Sequence, residues 1–266
     1  MIKLLVNDKE TKFETTIFPD GTSQVWKIDE KVKFIPGELP VILWHFENEG
    51  ELMHVLQLGH LVQKHFKIDF LTLRAPYLPY GRQDKKIDNS LSFALTVFKE
   101  TLNSAGIIHI ETFDAHSGSE SVYNDTDAFN SLAKFHKSIL NHDVVCFPDA
   151  GACDRYYDNF KNSPKIYCEK VRNQLTGEIT GLTVTNPSEI DLSNKKIIII
   201  DDICDGGMTF IKVTEALKAY NPNQIDLAVS HGLFSKGKQC LHDAGITNIY
   251  TTDSLLRNAG SFKVLV

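Results

Sequence analysis

The sequence predicts an α/β fold with mainly parallel sheets, divided into two domains. Short runs rich in β-branched residues alternate along the chain with amphipathic stretches of helical period, the pattern of parallel strands joined by helices. The run at residues 197–200 is four isoleucines, typical of a strand buried on both faces. The length of 266 residues exceeds that of a typical single domain and favours two.

The predicted elements follow this alternation in order. The first half is predicted to contain strands at 3–7, 41–46, 70–73 and 107–112, helices at 49–65 and 91–104, and an extended hairpin at 13–28 around the turn PDG. The second half is predicted to contain helix 128–140, strands at 144–147, 165–168, 178–184, 196–200, 225–230, 249–251 and 263–266, and a helix from about Thr209. We predict domains over 1–140 and 141–255, with a terminal strand in 256–266 returning to the first domain.

Composition excludes several classes of protein. The formal net charge of −6 argues against a general nucleic-acid surface, which is normally basic. No stretch of about 18 apolar residues predicts a membrane span, and the N-terminus lacks the apolar core of a signal peptide. The five cysteines are scattered without metal-site spacing and read as structural thiols of a reducing, cytoplasmic protein. An acidic protein that handles polyphosphates must concentrate cations locally and recruit a metal.

The most informative segment is IIIIDDICDGGMTF at residues 197–210. Asp201 and Asp202 come at the carboxyl end of the apolar strand, where open α/β sheets bind ligands. These carboxylates are placed to accept hydrogen bonds from the vicinal hydroxyls of a sugar. An acidic strand end before an ordinary turn is the structural alternative.

A predicted anion-binding turn follows the two carboxylates. Backbone amides of its two glycines and the next residue would point at an anion, the start of a helix adds partial positive charge, and a threonine offers a hydroxyl. A phosphate cradle beside two acidic acceptors fits a sugar phosphate better than a dinucleotide, and the absence of GKT/S excludes a Walker P-loop. The residues assigned to this turn are Asp205, Gly206, Gly207, Met208 and Thr209.

Two groups of cations are predicted to meet phosphate. The loop segment RQDKK at 82–86 is a compact basic cluster, in which arginine binds phosphate oxygens in pairs and lysine acts as a point charge. Lys170 and Arg172 lie two residues apart on an extended segment, so their side chains face the same side and suit one phosphate. A solvated charged loop and an exposed charged hairpin are the respective alternatives.

His116 and Asp149 each follow a predicted strand end. Magnesium prefers oxygen ligands and keeps several waters, so one histidine and one carboxylate are a small protein contribution. Phosphate oxygens of a nucleotide would have to complete the shell. A lone histidine is more often a core or capping residue.

Together these segments resemble the ribose-phosphate diphosphokinase family. The resemblance rests on the anion turn and on PYLPYGRQDKK (76–86), FDAHS (113–117), FPDAGA (147–152), CEKVR (168–172) and SHGLFS (230–235), which occur in the family's order over nearly the whole chain. It implies two tandem phosphoribosyltransferase-like, Rossmann-like domains. It also implies a reaction that uses ATP and ribose 5-phosphate with Mg²⁺.

The resemblance assigns roles to the individual residues. Lys170 and Arg172 become the catalytic arm, and His116 and Asp149 the metal ligands. The hairpin FPDG resembles an adenine-binding hairpin that the family lends to a neighbouring subunit, which implies at least a homodimer. The implied ATP-binding residues are Phe18, which stacks on the base, Asp20, which accepts from its amino group, Arg82, Gln83, Asp84, which orients the arginine, Lys85 and Lys86.

The chain departs from the family pattern at three places. Thr22 stands where the family often has glutamate. The family's Asp-Thr-x-Gly-Thr reads Asp-Gly-Gly-Met-Thr at 205–209, which moves one glycine, removes one hydroxyl donor and requires an allowed φ at Met208. The pattern after the last apolar strand also predicts that this chain lacks the family's usual terminal helix. These departures put base recognition and allosteric control in question.

Three functions are therefore weighed. The first is transfer of the diphosphoryl group of Mg-ATP to the anomeric hydroxyl of ribose 5-phosphate, with AMP departing. A phosphoribosyltransferase that uses the product with a nitrogenous base would explain residues 197–210 but not the RQDKK or Lys-x-Arg segments. A catalytically silent relative would bind the same ligands and regulate a partner enzyme.

Overall fold

The computed structural model describes residues 1–29, 31–35, 37–83, 92–116, 141–172, 179–186, 188–255 and 263–264. The chain forms two compact units, Met1–Asn130 and Ser131–Val266, so the division falls earlier than the predicted boundary at residue 140. Each unit has a hydrophobic core of its own. No helix of the described residues is long and apolar enough to cross a membrane.

The first unit is built on a five-stranded sheet with the order β2-β1-β5-β6-β7. Its strands β5, β6 and β7 are parallel, and β1 runs antiparallel to β2 and β5. A separate hairpin, β3–β4, lies outside this sheet. The strands are β1 (Ile2–Val6), β2 (Lys9–Thr11), β3 (Glu14–Ile17), β4 (Ser23–Trp26), β5 (Val41–Trp44), β6 (Leu71–Ala75) and β7 (Ile107–Thr112).

Among the described residues of the first unit, two helices cover the sheet, α1 (Gly50–Phe66) and α2 (Ala94–Ser104). Helix α1 buries Val55, Leu58 and Val62, which recur at helical spacing and pack into the core. It ends at Lys67, whose left-handed φ of 54° lets its N–H bond to the carbonyl of Gln63. Each crossover helix returns the chain to start a parallel strand, so the carboxyl ends of β5, β6 and β7 share one edge.

The second unit is built on a seven-stranded sheet with the order β10-β9-β8-β11-β12-β13-β14. All neighbouring pairs are parallel except β9 and β10. The helices are α3 (Ala150–Tyr156), α4 (Met208–Lys218) and α5 (Gln239–Asp243). The strands are β8 (Val144–Phe147), β9 (Lys165–Arg172), β10 (Ile179–Thr185), β11 (Lys196–Cys204), β12 (Gln224–Gly232), β13 (Ile249–Thr251) and β14 (Lys263–Val264).

The predicted α/β class and mainly parallel sheets are confirmed. The predicted return of the terminal strand to the first domain is wrong, because β14 pairs in parallel with β13 and extends the second sheet. A short connection between neighbours is the more usual topology. The predicted helix at 128–140 and the ribbon turn at 173–177 lie outside the described residues. Strand β2 and helices α3 and α5 were not predicted.

Candidate active site

The order of strands in the second sheet defines a topological switch point between β8 and β11. From β8 the chain crosses to β9 on one side, and later returns to β11 on the other side. Ligands of open α/β sheets bind outside the carboxyl ends of strands at such a point. Asp149 lies two residues after β8, and Asp201, Asp202 and Asp205 lie at the end of β11 or just beyond it. The fold thus brings the predicted sugar carboxylates and one predicted metal ligand to one edge.

The turn after β11 has the form expected of an anion loop. Gly207 has φ +79°, and α4 begins directly after it at Met208. A side chain at Gly207 would also collide with Leu241, whose Cδ2 lies 2.8 Å from an ideal Cβ position. Met208 is half exposed and is not among the residues with positive φ, so the left-handed position falls on the glycine. The φ requirement raised by Met208 is therefore met.

The loop after β12 is bonded to the anion loop. The Ser235 hydroxyl donates to Asp205 Oδ1 at 2.6 Å, and the Ser235 N–H donates to the Asp205 carbonyl at 3.2 Å. The N–H groups of Leu233 and Phe234 both donate to the carbonyl of Cys204, at 2.9 and 3.1 Å. These bonds fix the start of the anion loop against its neighbour, and they give the SHGLFS segment a structural role.

Three of the carboxylates at the switch point, Asp149, Asp201 and Asp202, lie in different environments. The Asp202 side chain is only 4% exposed. Asp201 is partly buried, and its Oδ1 accepts from the Asp202 N–H at 2.9 Å. Burial, followed by the charges of Asp202 and, more weakly, Asp149, raises the pKa of Asp201 well above its ordinary value. Asp149 is the N-cap of α3, where its Oδ1 accepts from the N–H of Ala152 at 3.0 Å.

Arg155 is a site residue that the sequence reasoning missed. It lies in the last turn of α3, and its Nη1 is 3.0 Å from Asp202 Oδ1. Burial alone would lower the pKa of its guanidinium, but Tyr156 and Asp202 together raise it, so the group stays charged. The signal available in the sequence was one cation in the FPDAGACDR segment next to an acidic strand end.

The predicted catalytic arm lies on β9, which neighbours β8. Lys170 and Arg172 occupy alternate positions of this strand and pair in register with Leu182 and Ile179 of β10. The ladder shifts register between Ile179 and Gly181, the mark of a β-bulge. The backbone thus places both positions on one face of the strand, as the spacing predicted.

The predicted ATP residues of the loop after β6 belong to the first unit. Arg82 and Gln83 are exposed, and the Gln83 N–H donates to the Tyr80 carbonyl at 2.9 Å. The Tyr80 hydroxyl donates to Glu49 at 2.5 Å, and burial together with Glu49 raises the pKa of Tyr80 to about 12. This bond anchors the base of the loop to the start of α1. Asp84, Lys85 and Lys86 lie outside the described residues.

His116 follows β7, the strand beside β6. It is partly buried, and Asp114 two residues earlier has φ 44°. Since β6 and β7 are parallel, the Arg82 loop and the His116 segment leave the sheet at the same edge. Within the described part of the chain, no three His, Cys, Asp or Glu side chains converge as a metal site.

The predicted adenine hairpin is the β3–β4 turn. Phe18 is 42% exposed, and its N–H and carbonyl bond to Thr22 and Gly21 across the turn. Asp20 Oδ1 accepts from the Thr22 hydroxyl at 2.7 Å and from its N–H at 2.9 Å, which lowers the pKa of Asp20. Thr22, the departure from the family pattern, thus engages one oxygen of the carboxylate predicted to meet the base.

A mainly parallel sheet with an Asp-Asp pair and a Gly-Gly anion loop at its switch point defines a phosphoribosyltransferase-fold protein. The model of the phosphoribosyl transferase domain matches residues 166–256. A crystal structure of phosphoribosylpyrophosphate synthetase from Mycobacterium smegmatis superposes with a TM-score of 0.75 at 23% identity, covering 92% of this chain and 81% of that one.

Curated relatives extend the similarity over both units. A ribose-phosphate pyrophosphokinase of Saccharolobus solfataricus is 25% identical over 254 residues, 92% of this chain and 84% of the relative. The enzyme of that name from Sulfurisphaera tokodaii is 26% identical over 266 residues, 96% of this chain and 88% of the relative. The chain is thus similar to ribose-phosphate pyrophosphokinases over both units, and to the phosphoribosyl transferase domain within the second.

Proposed function

We propose that this protein transfers the intact diphosphoryl group of ATP to the C1 hydroxyl of ribose 5-phosphate, giving 5-phosphoribosyl 1-diphosphate and AMP. The observation that carries the proposal is the extent of the similarity. The phosphoribosyl transferase domain accounts for residues 166–256, whereas the two ribose-phosphate pyrophosphokinases described above match 92% and 96% of the chain, including the unit with the Arg82 loop. A phosphoribosyltransferase alone would leave that unit without a role.

The second unit supplies the sugar-phosphate site. The 5-phosphate binds the amides of Gly206, Gly207 and Met208 at the start of α4, with the Thr209 hydroxyl as a further donor. Asp201 accepts from the ring hydroxyls. Arg155 balances the charge of Asp202, so the two adjacent carboxylates of Asp201 and Asp202, taken with Arg155, carry at most one net negative charge rather than two.

Catalysis requires alignment and neutralisation of charge more than covalent help from the protein. The C1 hydroxyl oxygen attacks the β-phosphorus of ATP, a bond forms between them, and the bond from that phosphorus to the oxygen of AMP breaks. The hydroxyl proton is released to solvent. Lys170 and Arg172 stabilise the charge that develops on the transferring and leaving oxygens. Their strand adjoins β8 at the switch point, which supports this role.

The acidic group at the switch point fits a hard divalent cation such as Mg²⁺. Asp149 and Asp201 lie close enough for the charge of one to raise the pKa of the other, and carboxylate oxygen is the ligand that Mg²⁺ prefers. Asp149 and His116 would hold the ion, which supplies neutralisation of phosphate charge when bound. The small number of protein ligands suits an ion that keeps waters and nucleotide oxygens in its shell.

The first unit supplies the nucleotide site. Arg82 and Gln83, with Asp84, Lys85 and Lys86, bind the phosphates of ATP. Phe18 stacks on adenine in a neighbouring subunit, and Asp20 contacts the base through the oxygen that Thr22 does not occupy. The exposure of Phe18 at a hairpin tip supports this arrangement, which requires at least a dimer. The five free thiols support a reducing, cytoplasmic setting.

Product analysis tests the function. Phosphorus NMR of the protein with ATP, ribose 5-phosphate and Mg²⁺ should show AMP and a new diphosphate ester in equal amounts. Diphosphate released from 5-phosphoribosyl 1-diphosphate only when a nitrogenous base is added would favour a phosphoribosyltransferase instead. Nucleotide binding by calorimetry without AMP at any Mg²⁺ concentration would favour a silent relative.

A further inference from the structure

We propose that Lys236 binds the 5-phosphate of ribose 5-phosphate and replaces the hydroxyl donor that the anion loop lacks. This inference rests on the proposed function and adds a residue to the same site. Lys236 lies in the loop after β12, the strand next to β11. Its Cδ and Cε are each 3.5 Å from the position that a Cβ on Gly206 would occupy, and its Cγ is 3.7 Å from it. The aliphatic stem therefore lies across Gly206.

The backbone sets this contact. Residues 235 and 205, which directly precede Lys236 and Gly206, are joined by the two hydrogen bonds from Ser235 to Asp205. The Gly237 N–H donates to the Phe234 carbonyl at 2.7 Å and closes a turn with Lys236 inside it. The neighbourhood of Lys236 and Gly206 thus follows from the pairing of the two loops and does not depend on one rotamer.

The charge of Lys236 is available for a ligand. Its side chain is exposed, and its ammonium group makes no ion pair or hydrogen bond with any residue that the structure describes. The ammonium is bonded to the Cε that lies over Gly206, beside amides at the start of α4. A lysine here offers a mobile point charge to a phosphate monoester.

The carboxylates around the 5-phosphate require a nearby cation to offset their charge. Asp149, Asp201 and Asp205 all lie at the edge of the sheet where the doubly charged 5-phosphate must bind, and Arg155 is already paired with Asp202. Like charges at short range disfavour binding unless a nearby cation offsets them. Lys236 is placed to offset them from the loop that faces the amides.

Compared with the related pattern, this chain lacks the hydroxyl donor at position 206 and has the ammonium group of Lys236 in its place. The related pattern has threonine at position 206, whose hydroxyl would serve the phosphate. Here glycine leaves that space to the lysine stem. A threonine hydroxyl and the Lys236 stem would occupy the same place, so this chain can use one of the two donors.

Lys236→Ala tests the inference in the full-length protein. Since a charge-assisted hydrogen bond is lost, we expect the KM for ribose 5-phosphate to rise about tenfold or more. The KM for ATP and kcat should stay within about twofold, because the loss affects ground state and transition state alike. Lys236→Arg should retain most of the affinity, and Gly206→Thr in the Lys236→Ala background should recover part of it.

Lys196→Ala is the matched control, because Lys196 is exposed and lies at the opposite, amino end of β11. An unchanged KM for ribose 5-phosphate in an active Lys236→Ala protein would overturn the inference and leave the proposed function intact. A wild-type protein that forms no AMP would overturn the proposed function. In that case, calorimetric titration with ribose 5-phosphate measures the affinity of wild type and Lys236→Ala without turnover. Equal affinities would overturn the inference as well.

Discussion

The guanidinium of Arg155 and the carboxylate of Asp202 form an ion pair of 3.0 Å in which the side chains are 18% and 4% exposed. The pair joins the last turn of α3 to the end of β11 across the switch point. Buried pairs of this kind add little over an apolar pair of the same shape, but removal of one partner leaves an uncompensated charge. Arg155 therefore compensates the charge of Asp202 beside the sugar site.

Arg155→Met should destabilise the second unit by about 3 kcal/mol, the lower end for a broken buried pair. Because the cost comes from the charge left on Asp202, the double variant Arg155→Met/Asp202→Asn should recover much of it. Guanidinium unfolding of both single variants and the double variant gives the coupling free energy. Additive losses would show that the two side chains contribute independently.

Asp201→Asn should stabilise the protein and abolish turnover. The raised pKa means that the folded state binds more protons than the unfolded state between the ordinary and the raised pKa, so stability falls as pH rises through that range. A neutral amide removes this penalty, and we expect a gain on the order of 1 kcal/mol at pH 7. The gain should vanish below about pH 3, where the carboxyl is protonated in both states.

Thermal unfolding of wild type and Asp201→Asn across pH 3–8 checks this sign. Asp243→Asn is the control, since it makes the same change at the end of α5, outside the switch point. A substitution of Asn248 would not serve, because its side chain bonds to buried Asp226. A destabilising Asp201→Asn at pH 7 would mean that the ionised carboxylate is held by favourable contacts in the folded protein.

Arg172→Ala should lower kcat by on the order of 10³, the lower end for an arginine that stabilises charge in phosphoryl transfer. The KM values should change much less, because the contact forms in the transition state. Glu169→Ala is the control, since Glu169 is an exposed charged residue of the same strand, three positions before residue 172. Retention of more than about a tenth of wild-type turnover would exclude Arg172 from this role.

The parts of the fold with a strong periodic pattern could be predicted from sequence. Strands β7, β8 and β13 begin and end where predicted, because apolar β-branched runs bounded by turn residues leave little freedom. The carboxyl ends of β9, β11 and β12 extend beyond the predicted bounds. Polar residues there remain in the sheet because ligand sites are built at these strand ends.

The missed features depend on tertiary contacts. Arg155 reads as an ordinary cation near the end of a short helix, and only the packing of α3 beside β11 turns it toward Asp202. The destination of β14 depends on which edge strand is free, which a local pattern does not encode. The anion loop could be predicted because the glycine with φ +79° and the helix start are local features.

Gly207→Ala should destabilise the second unit and weaken ribose 5-phosphate binding. Alanine at φ +79° costs about 1–2 kcal/mol for its left-handed backbone. The contact with Leu241 Cδ2 at 2.8 Å should add about 1–3 kcal/mol of overpacking. Gly237→Ala is the matched control, with φ +72° and nothing within 4 Å of its Cβ. Equal losses of unfolding free energy would show that Leu241 moves aside freely.

Met208→Gly tests whether the departure in the anion loop impairs the site. Met208 is 51% exposed at the first position of α4 and has no positive φ, so the glycine found there in related loops is not required by the backbone of this chain. We therefore expect kcat/KM for ribose 5-phosphate to change by less than about tenfold, or 1.4 kcal/mol. Steady-state kinetics measure this, with helix stability checked by thermal unfolding. A much larger gain would mean that the methionine obstructs the phosphate, and that the wild-type protein acts chiefly as a binding relative rather than as an efficient enzyme.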